Sequence, residues 1–496
     1  MSAERRRLLV GTSWTLASTL VALVAGTILN PFLVLYLGVG GFGIWASAIA
    51  FASIFGLAGD LGVAAALTRT VAERRGLRRG IESMGGSALM LAFAVGSVAG
   101  FALFATSYFM AGFVNSADFQ SLLRLQALQM PVNLGSASLL ALLQGGRRFR
   151  SLSMFTMLQS LGSLALVGAA LAAGGGIVGA MSASVASAVI GFVVLYYSRR
   201  NELHFAGATA LRSDFRRLVP FGIQVTAMNA MSTVLYQADL VLLSVLTGDA
   251  TIVGIYALAV FSTRILWIIP GSISVTTYPV VSEYAATAEP GRMERYISAA
   301  MLASLTVVGV LGSAFLLFGR PLLRLFFGVD SVGAYELAIP MLFGTAVFGT
   351  LRSIAPSLTS VGRPDVGLVI SAFGAGMLIV SGYVLTTAYG GAGTAFAVSI
   401  AFLGVSIALV AAIERYVIRP VGGRLRSKRL GVTATSASVL SLASGFLALP
   451  ADPAFSSIVW AIVFWMGMIL VLIVASGGKK TWGGIFRRPG PIAERV

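Results

Sequence analysis

The chain has 496 residues, of which 57% are hydrophobic and 11% charged, and a mean hydropathy of +0.91. A water-soluble fold of this length cannot hide so much hydrocarbon, so the bilayer is its solvent. The net charge of +17 sits between apolar runs and does not call for nucleic acid, while the absence of cysteine and the single His204 exclude disulfides, thiolate nucleophiles and Cys- or His-built metal sites.

At about 20 residues per crossing the sequence divides into about fourteen helices. They run over 8–36, 41–67, 83–107, 119–144, 151–173, 176–197, 218–246, 251–281, 296–318, 334–360, 365–388, 391–413, 431–450 and 455–476. The first follows Arg5, Arg6 and Arg7 directly and is too long for the core of a cleavable signal, so it reads as a transmembrane helix. Even-numbered connections are basic: Arg74, Arg75, Arg78 and Arg79; Arg147, Arg148 and Arg150; Arg199 to Arg217; Arg415 to Arg429; and the tail with Lys479, Lys480, Arg487 and Arg488. Odd connections such as Gly38 to Gly43, Gly174 to Gly176 and Tyr389 to Gly391 carry no basic residue, and Arg320 and Arg324 break the rule. Both termini are therefore expected in the cytoplasm. The outer connections are too short to fold as separate domains.

An internal repeat runs through the chain. Arg6-Arg7-Leu8-Leu9 returns as Arg216-Arg217-Leu218-Val219, Gly43-Ile44-Trp45-Ala46 as Gly254-Ile255-Tyr256-Ala257, Gly146-Arg147 as Gly362-Arg363, and Gly174-Gly175 as Gly390-Gly391, at offsets drifting from 210 to 216. A duplicated six-helix unit follows, and because six is even the two copies are parallel. The expected architecture is an all-α polytopic membrane protein of two six-helix lobes, 1–198 and 218–415, joined by a cytoplasmic linker over 199–217 that is partly amphipathic, with an appended helix pair and basic tail over 416–496.

The stretch from Leu37-Gly38 through Gly41-Phe42-Gly43-Ile44-Trp45, then Gly59-Asp60-Leu61-Gly62 with Leu67-Thr68-Arg69 and Ala72-Glu73, resembles the opening of the polysaccharide (O-antigen type) flippases of the multidrug/oligosaccharidyl-lipid/polysaccharide exporter superfamily. Asp239-Leu240-Val241-Leu242, Val253-Gly254-Ile255-Tyr256-Ala257-Leu258-Ala259, Pro279 and Ser282-Glu283 are similar to that family's seventh and eighth helices. Gln144-Gly145-Gly146-Arg147-Arg148-Phe149 and Val361-Gly362-Arg363-Pro364 resemble its connections after helices four and ten. The resemblance implies a transporter rather than an enzyme, with no cofactor. It would carry a polyprenyl-pyrophosphate-linked oligosaccharide across the cytoplasmic (inner) membrane by alternating access, with membrane lipids, a polysaccharide polymerase and glycosyltransferases as its partners.

Such a cargo needs cations for its pyrophosphate, and Arg suits them because its guanidinium forks onto phosphate oxygens. Three arginines fall inside spans: Arg264, near the middle of the eighth; Arg352; and Arg124, which reads either as a third cavity cation or as a side chain snorkelling from the outer end of its helix. Asp60 and Asp239 also lie in spans, open to two roles: coupling to H⁺ or Na⁺, or structural pairing, as of Asp60 with Arg69. Polar side chains gather in helix four (Gln126, Gln129, Asn133) and helix seven (Gln224, Asn229, Gln237), where they bind sugar hydroxyls or join helices. Pro31, Pro131, Pro270 and Pro279 interrupt spans, and Tyr36, Trp45 and Trp460 read as interfacial anchors. With no phosphate-cradling Gly-rich loop bearing its Lys and Ser/Thr, the energy source expected is an ion gradient. The rivals are a cation-coupled drug exporter, which would want an acidic pocket, a peptidoglycan-precursor flippase, a polysaccharide polymerase or ligase, and a scaffold without transport.

Overall fold

The computed structural model describes residues 3–59, 62–76, 82–114, 116–146, 148–203, 208–287 and 290–419. Asp60, His204, Trp460, the expected spans 431–450 and 455–476 and the basic tail lie outside them. Within these residues the regular elements are helical: α1 (Ala3–Gly59), α2 (Val63–Gly76), α3 (Glu82–Ala111), α4 (Ala117–Gly145), α5 (Phe149–Ala172), α6 (Gly176–Arg199), α7 (Ala208–Thr247), α8 (Ala250–Arg264), α9 (Ile268–Ala286), α10 (Pro290–Phe327), α11 (Gly333–Arg352), α12 (Pro356–Ser360) and α13 (Pro364–Ala412). Nine helical segments among the described residues are long and apolar enough to cross a bilayer.

Two of these helices are each long enough for two crossings, and glycine breaks both. α1, 57 residues long, leaves helical geometry at Gly38 (φ 72°), and α13, with 49 residues, does so at Gly390 (φ 57°). Both fall in the uncharged connections expected from sequence, where a residue without Cβ takes positive φ at no steric cost. Elsewhere the structure departs from the expected limits. The second expected span, 41–67, ends at Gly59 and a separate α2 follows. The second half of the 199–217 segment runs without interruption into the seventh helix as the 40-residue α7. α4 has the length of a span but not its hydropathy, because Asp118, Gln120, Arg124, Gln126 and Gln129 crowd its first half.

The described helices group into two compact units. The first comprises the chain up to Ala257 with the short pieces Phe326–Ser331 and Thr386–Gly391. Small residues let its backbones approach closely. A Cβ on Gly96 would come within 2.7 Å of the Pro131 Cα, so α3 and α4 touch main chain to main chain. Leu89, Leu139, Leu143, Leu195 and Leu203 form a buried cluster beside that contact. The second half of α1 crosses the start of α8 in the same way: a Cβ on Gly43 would collide with the Ala250 carbonyl oxygen and fall 2.6 Å from the Gly254 nitrogen. A Cβ on Gly254 would in turn strike the Val39 carbonyl. Gly43 and Gly254 occupy matched positions of the motif that recurs in the sequence, and both lie in this unit. Side chains around this crossing are buried, among them Val39, Phe42, Ala48 and Trp45, the last 6% exposed. Trp45 is thus a packing residue and not the interfacial anchor its place near a span end implied; Tyr36 remains exposed.

The second unit comprises Leu258–Leu325, Val332–Leu385 and the chain from Ala392 onward. Hydroxyls of this unit bond within the protein, as the absence of water in hydrocarbon favours, although those of Ser304 and Ser357 are buried with no hydrogen-bond partner among the described residues. Ser262 donates to the Leu258 carbonyl at 2.7 Å and Tyr335 to Leu316 at 2.6 Å. Arg320, one of the two exceptions to the loop-charge pattern, pairs with Glu336 at 3.1 Å.

Candidate cationic site

Arg264, expected near the middle of its span, and Arg352, expected inside its span, both end their helices, and proline explains each ending. Proline lacks an N–H for the carbonyl four residues back, and its ring collides with that carbonyl. Pro270 denies a partner to Leu266, and the chain between α8 and α9 tightens into a single 3₁₀ turn, Ile265–Trp267. Pro356 likewise brings no N–H to the carbonyl of Arg352, the last residue of α11, and becomes the first of α12. Arg264 and Arg352 therefore stand in the last turns of α8 and α11, where the helix dipole favours positive charge. They lie about 21 Å and about 28 Å along their helices from Ala250 and Gly333, at a rise of about 1.5 Å per residue.

The two side chains meet over one ring. The Arg264 guanidinium carbon is 5.7 Å from the centroid of Trp267, and that of Arg352 is 5.2 Å from the same centroid. Both distances are within cation–π range, and the two charges can be no farther apart than the sum of them. Both arginines are half-buried. The indole is fixed from several sides. Its Nε1–H donates to the Thr345 carbonyl at 2.9 Å. Phe348 and Phe402 meet it edge-on, each at 5.5 Å, and stack on one another at 4.9 Å. Gly349 makes room for it, since a Cβ there would come within 2.5 Å of the indole Cδ1. The Ser353 carbonyl freed by the end of α11 is also served, accepting from Thr277 at 2.8 Å, and Ser360 of α12 donates to the Tyr278 carbonyl within α9 at 3.0 Å. The result is a pair of guanidiniums on a rigid aromatic base in apolar surroundings, where opposite charge is attracted strongly.

The remaining expected residues divide differently. Arg124 belongs to the first compact unit, not the second; it is exposed and lies 5.3 Å over the exposed Phe104 ring. Asp239 is buried, 1% exposed, and well bonded: Tyr256, fully buried on α8, donates its hydroxyl to Oδ2 at 2.9 Å, and the Leu240 N–H donates to Oδ1 at 2.9 Å. Of the polar cluster on α4, Gln126 reaches the Met181 sulfur at 3.2 Å, a contact between helices, while Asn133 is exposed. On α7, Asn229 is exposed and Gln237 half-buried; the Gln224 side chain lies outside the described residues. At the start of α13, Arg363 forks onto Asp365 (Nη2 to Oδ2 2.8 Å), and that hydrogen bond holds the guanidinium, which lies just ahead of the span, above its ordinary pKa. Sequence reasoning missed Trp267. The available signal was Pro356, four residues after Arg352, paired with Pro270 just beyond Arg264.

No curated protein matches the sequence. Among solved structures the chain is similar to the lipid II flippase MurJ in an inward closed conformation, with a TM-score of 0.65 at 13% identity over 94% of this chain and 98% of that one. It is similar to an inward-facing MATE family multidrug resistance transporter of the MOP superfamily, with a TM-score of 0.60 at 18% identity over 81% and 99%. A third structure is a MOP superfamily transporter from Pyrococcus furiosus whose binding pocket is described as having reverse polarity, with a TM-score of 0.55 at 16% identity over 84% and 95%. These likenesses establish the transporter fold. The model of the polysaccharide biosynthesis protein family matches residues 8–285, more than half of the chain, and the chain belongs to that family.

Proposed function

We propose that the protein is a flippase for a polyprenyl-pyrophosphate-linked oligosaccharide, a polysaccharide repeat unit such as that of O-antigen, in the cytoplasmic membrane, with both termini in the cytoplasm. The observation that carries this reading is the meeting of Arg264 and Arg352 on Trp267. A pyrophosphate presents oxygens on two phosphorus atoms, and two forked donors that share one ring match it better than one. The glycan needs a wet path while the polyprenyl tail can stay in lipid, so the protein has to bind only the polar part. The two six-helix lobes, 1–198 and 218–415, rock about the cargo to give alternating access. An ion gradient drives the cycle, with Asp239 as the described carboxylate placed to couple it or to brace α7 against α8. Arg124 acts at the interface and is secondary. A polymerase and glycosyltransferases supply and consume the cargo.

A drug exporter for organic cations is disfavoured by two guanidiniums at the centre of the site, since like charge repels its substrate. The test is a strain lacking the protein. It should accumulate lipid-linked oligosaccharide in the inner leaflet, wild type should clear it, and Arg264→Ala present at normal abundance should not. Clearance by Arg264→Ala, or no accumulation together with new drug sensitivity, would overturn the reading.

A further inference from the structure

We infer that Trp267 is the residue that positions Arg264 and Arg352 and thereby sets the site's preference for a diphosphate over a monophosphate; this rests on the cationic-site reading above. Two guanidiniums in apolar surroundings repel each other across long, flexible stems. One ring opposes that for both. Cation–π attraction uses the flat face of a guanidinium and leaves its in-plane N–H groups for oxygen acceptors, so the ring and a phosphate act on the same group without competing. The ring cannot follow the arginines if they move, because Thr345 holds its Nε1–H and Phe348 and Phe402 hold its edges. Gly349 seats it against the α11 backbone, so Trp267, which lies on the turn after α8, ties the two broken helices to a common base. With both charges kept close to one centroid, a ligand that offers two phosphoryl groups engages both arginines, whereas one that offers a single group leaves one arginine unanswered. The preference is therefore built from the bounded separation of the two charges rather than from their number.

The experiment uses the full-length protein in detergent and two probes, farnesyl pyrophosphate and farnesyl monophosphate, titrated by calorimetry. Wild type should favour the pyrophosphate by about tenfold or more, the worth of one charge-assisted hydrogen-bonded contact. Mono-, di- and trifluorotryptophan placed at position 267 alone keep the shape and the Nε1–H while withdrawing charge from the ring face. Pyrophosphate affinity should fall stepwise along that series, by about three- to tenfold in all, and the preference should shrink with it at unchanged thermal stability. Trp267→Leu should abolish the preference, with Trp267→Phe recovering part of it. A flat fluorination series in a protein where Arg264→Ala still loses pyrophosphate binding would overturn the role of Trp267 and leave the cationic site standing. Unchanged binding in both Arg264→Ala and Arg352→Ala would overturn the cationic site and this inference with it.

Discussion

The crossing of α1 and α8 at Gly43 and Gly254 should tolerate no side chain. Gly43→Ala places a Cβ 2.6 Å from the Gly254 nitrogen and closer still to the Ala250 carbonyl oxygen. Both are main-chain atoms of a helix and cannot turn aside. Restoring an ordinary separation of about 3.5 Å from the carbonyl oxygen moves the helices apart by about 1.5 Å, which forfeits about half or more of the dispersion well for every atom pair along the contact. The same movement stretches the Ser47–Ser244 hydrogen bond, now 2.8 Å, beyond useful length. Overpacking of this kind costs about 1 to 3 kcal/mol and the hydrogen bond about 1 kcal/mol, so Gly43→Ala and Gly254→Ala should each destabilise the protein by about 2 to 4 kcal/mol. Gly26→Ala and Gly168→Ala are the controls, since a Cβ at either meets nothing within 4 Å. Better helix propensity should make them neutral or more stable by up to about 1 kcal/mol. Unfolding in mixed micelles against increasing dodecyl sulfate reads all four. Equal midpoints for Gly43→Ala and Gly26→Ala would refute the argument.

Other substitutions separate charge from shape. Arg264→Lys keeps the cation but loses the fork, so farnesyl pyrophosphate should bind it about tenfold more weakly than wild type and more tightly than Arg264→Ala, by calorimetry. Asp239→Asn retains an acceptor for the Tyr256 hydroxyl, whereas Asp239→Ala strands a buried donor at a cost of about 1 to 3 kcal/mol; thermal unfolding should rank the two in that order. A double-mutant cycle of Asp239→Ala with Tyr256→Phe should return a coupling of at least about 0.5 kcal/mol. Arg320→Ala removes an ion pair whose partners are 34% and 65% exposed, and the melting curve should register less than about 1 kcal/mol.

The course of the helices was legible because hydrocarbon length and glycine act locally. Gly38 and Gly390 break long helices within connections that the absence of charge had already marked. Limits failed where the cause was tertiary or compositional. Nothing in Gly59 to Gly62 shows from the pattern of apolar residues that one helix ends and another begins, and nothing in the polar residues of 208–217 shows that they extend a membrane helix. Arg264 and Arg352 could be chosen from sequence because charge inside a span is costly and so asks for a reason. Their meeting could not, because they are 88 positions apart and the ring they share looks, in the sequence, like one more apolar residue of its span. Trp45 shows the converse: a tryptophan near a span end suits the interface, yet the close helix crossing at Gly43 draws it into the protein interior.

The central claim is that the protein moves a pyrophosphate-linked glycolipid by way of Arg264 and Arg352. The most direct measurement follows a fluorescent polyprenyl-pyrophosphate-linked disaccharide in proteoliposomes, scoring how much becomes accessible to an impermeant quencher. Wild type should expose the lipid well above empty vesicles, and Arg264→Ala with Arg352→Ala should return the rate to that background. Equal transfer by wild type and the double variant, or equal transfer of a lipid lacking the pyrophosphate, would contradict the account.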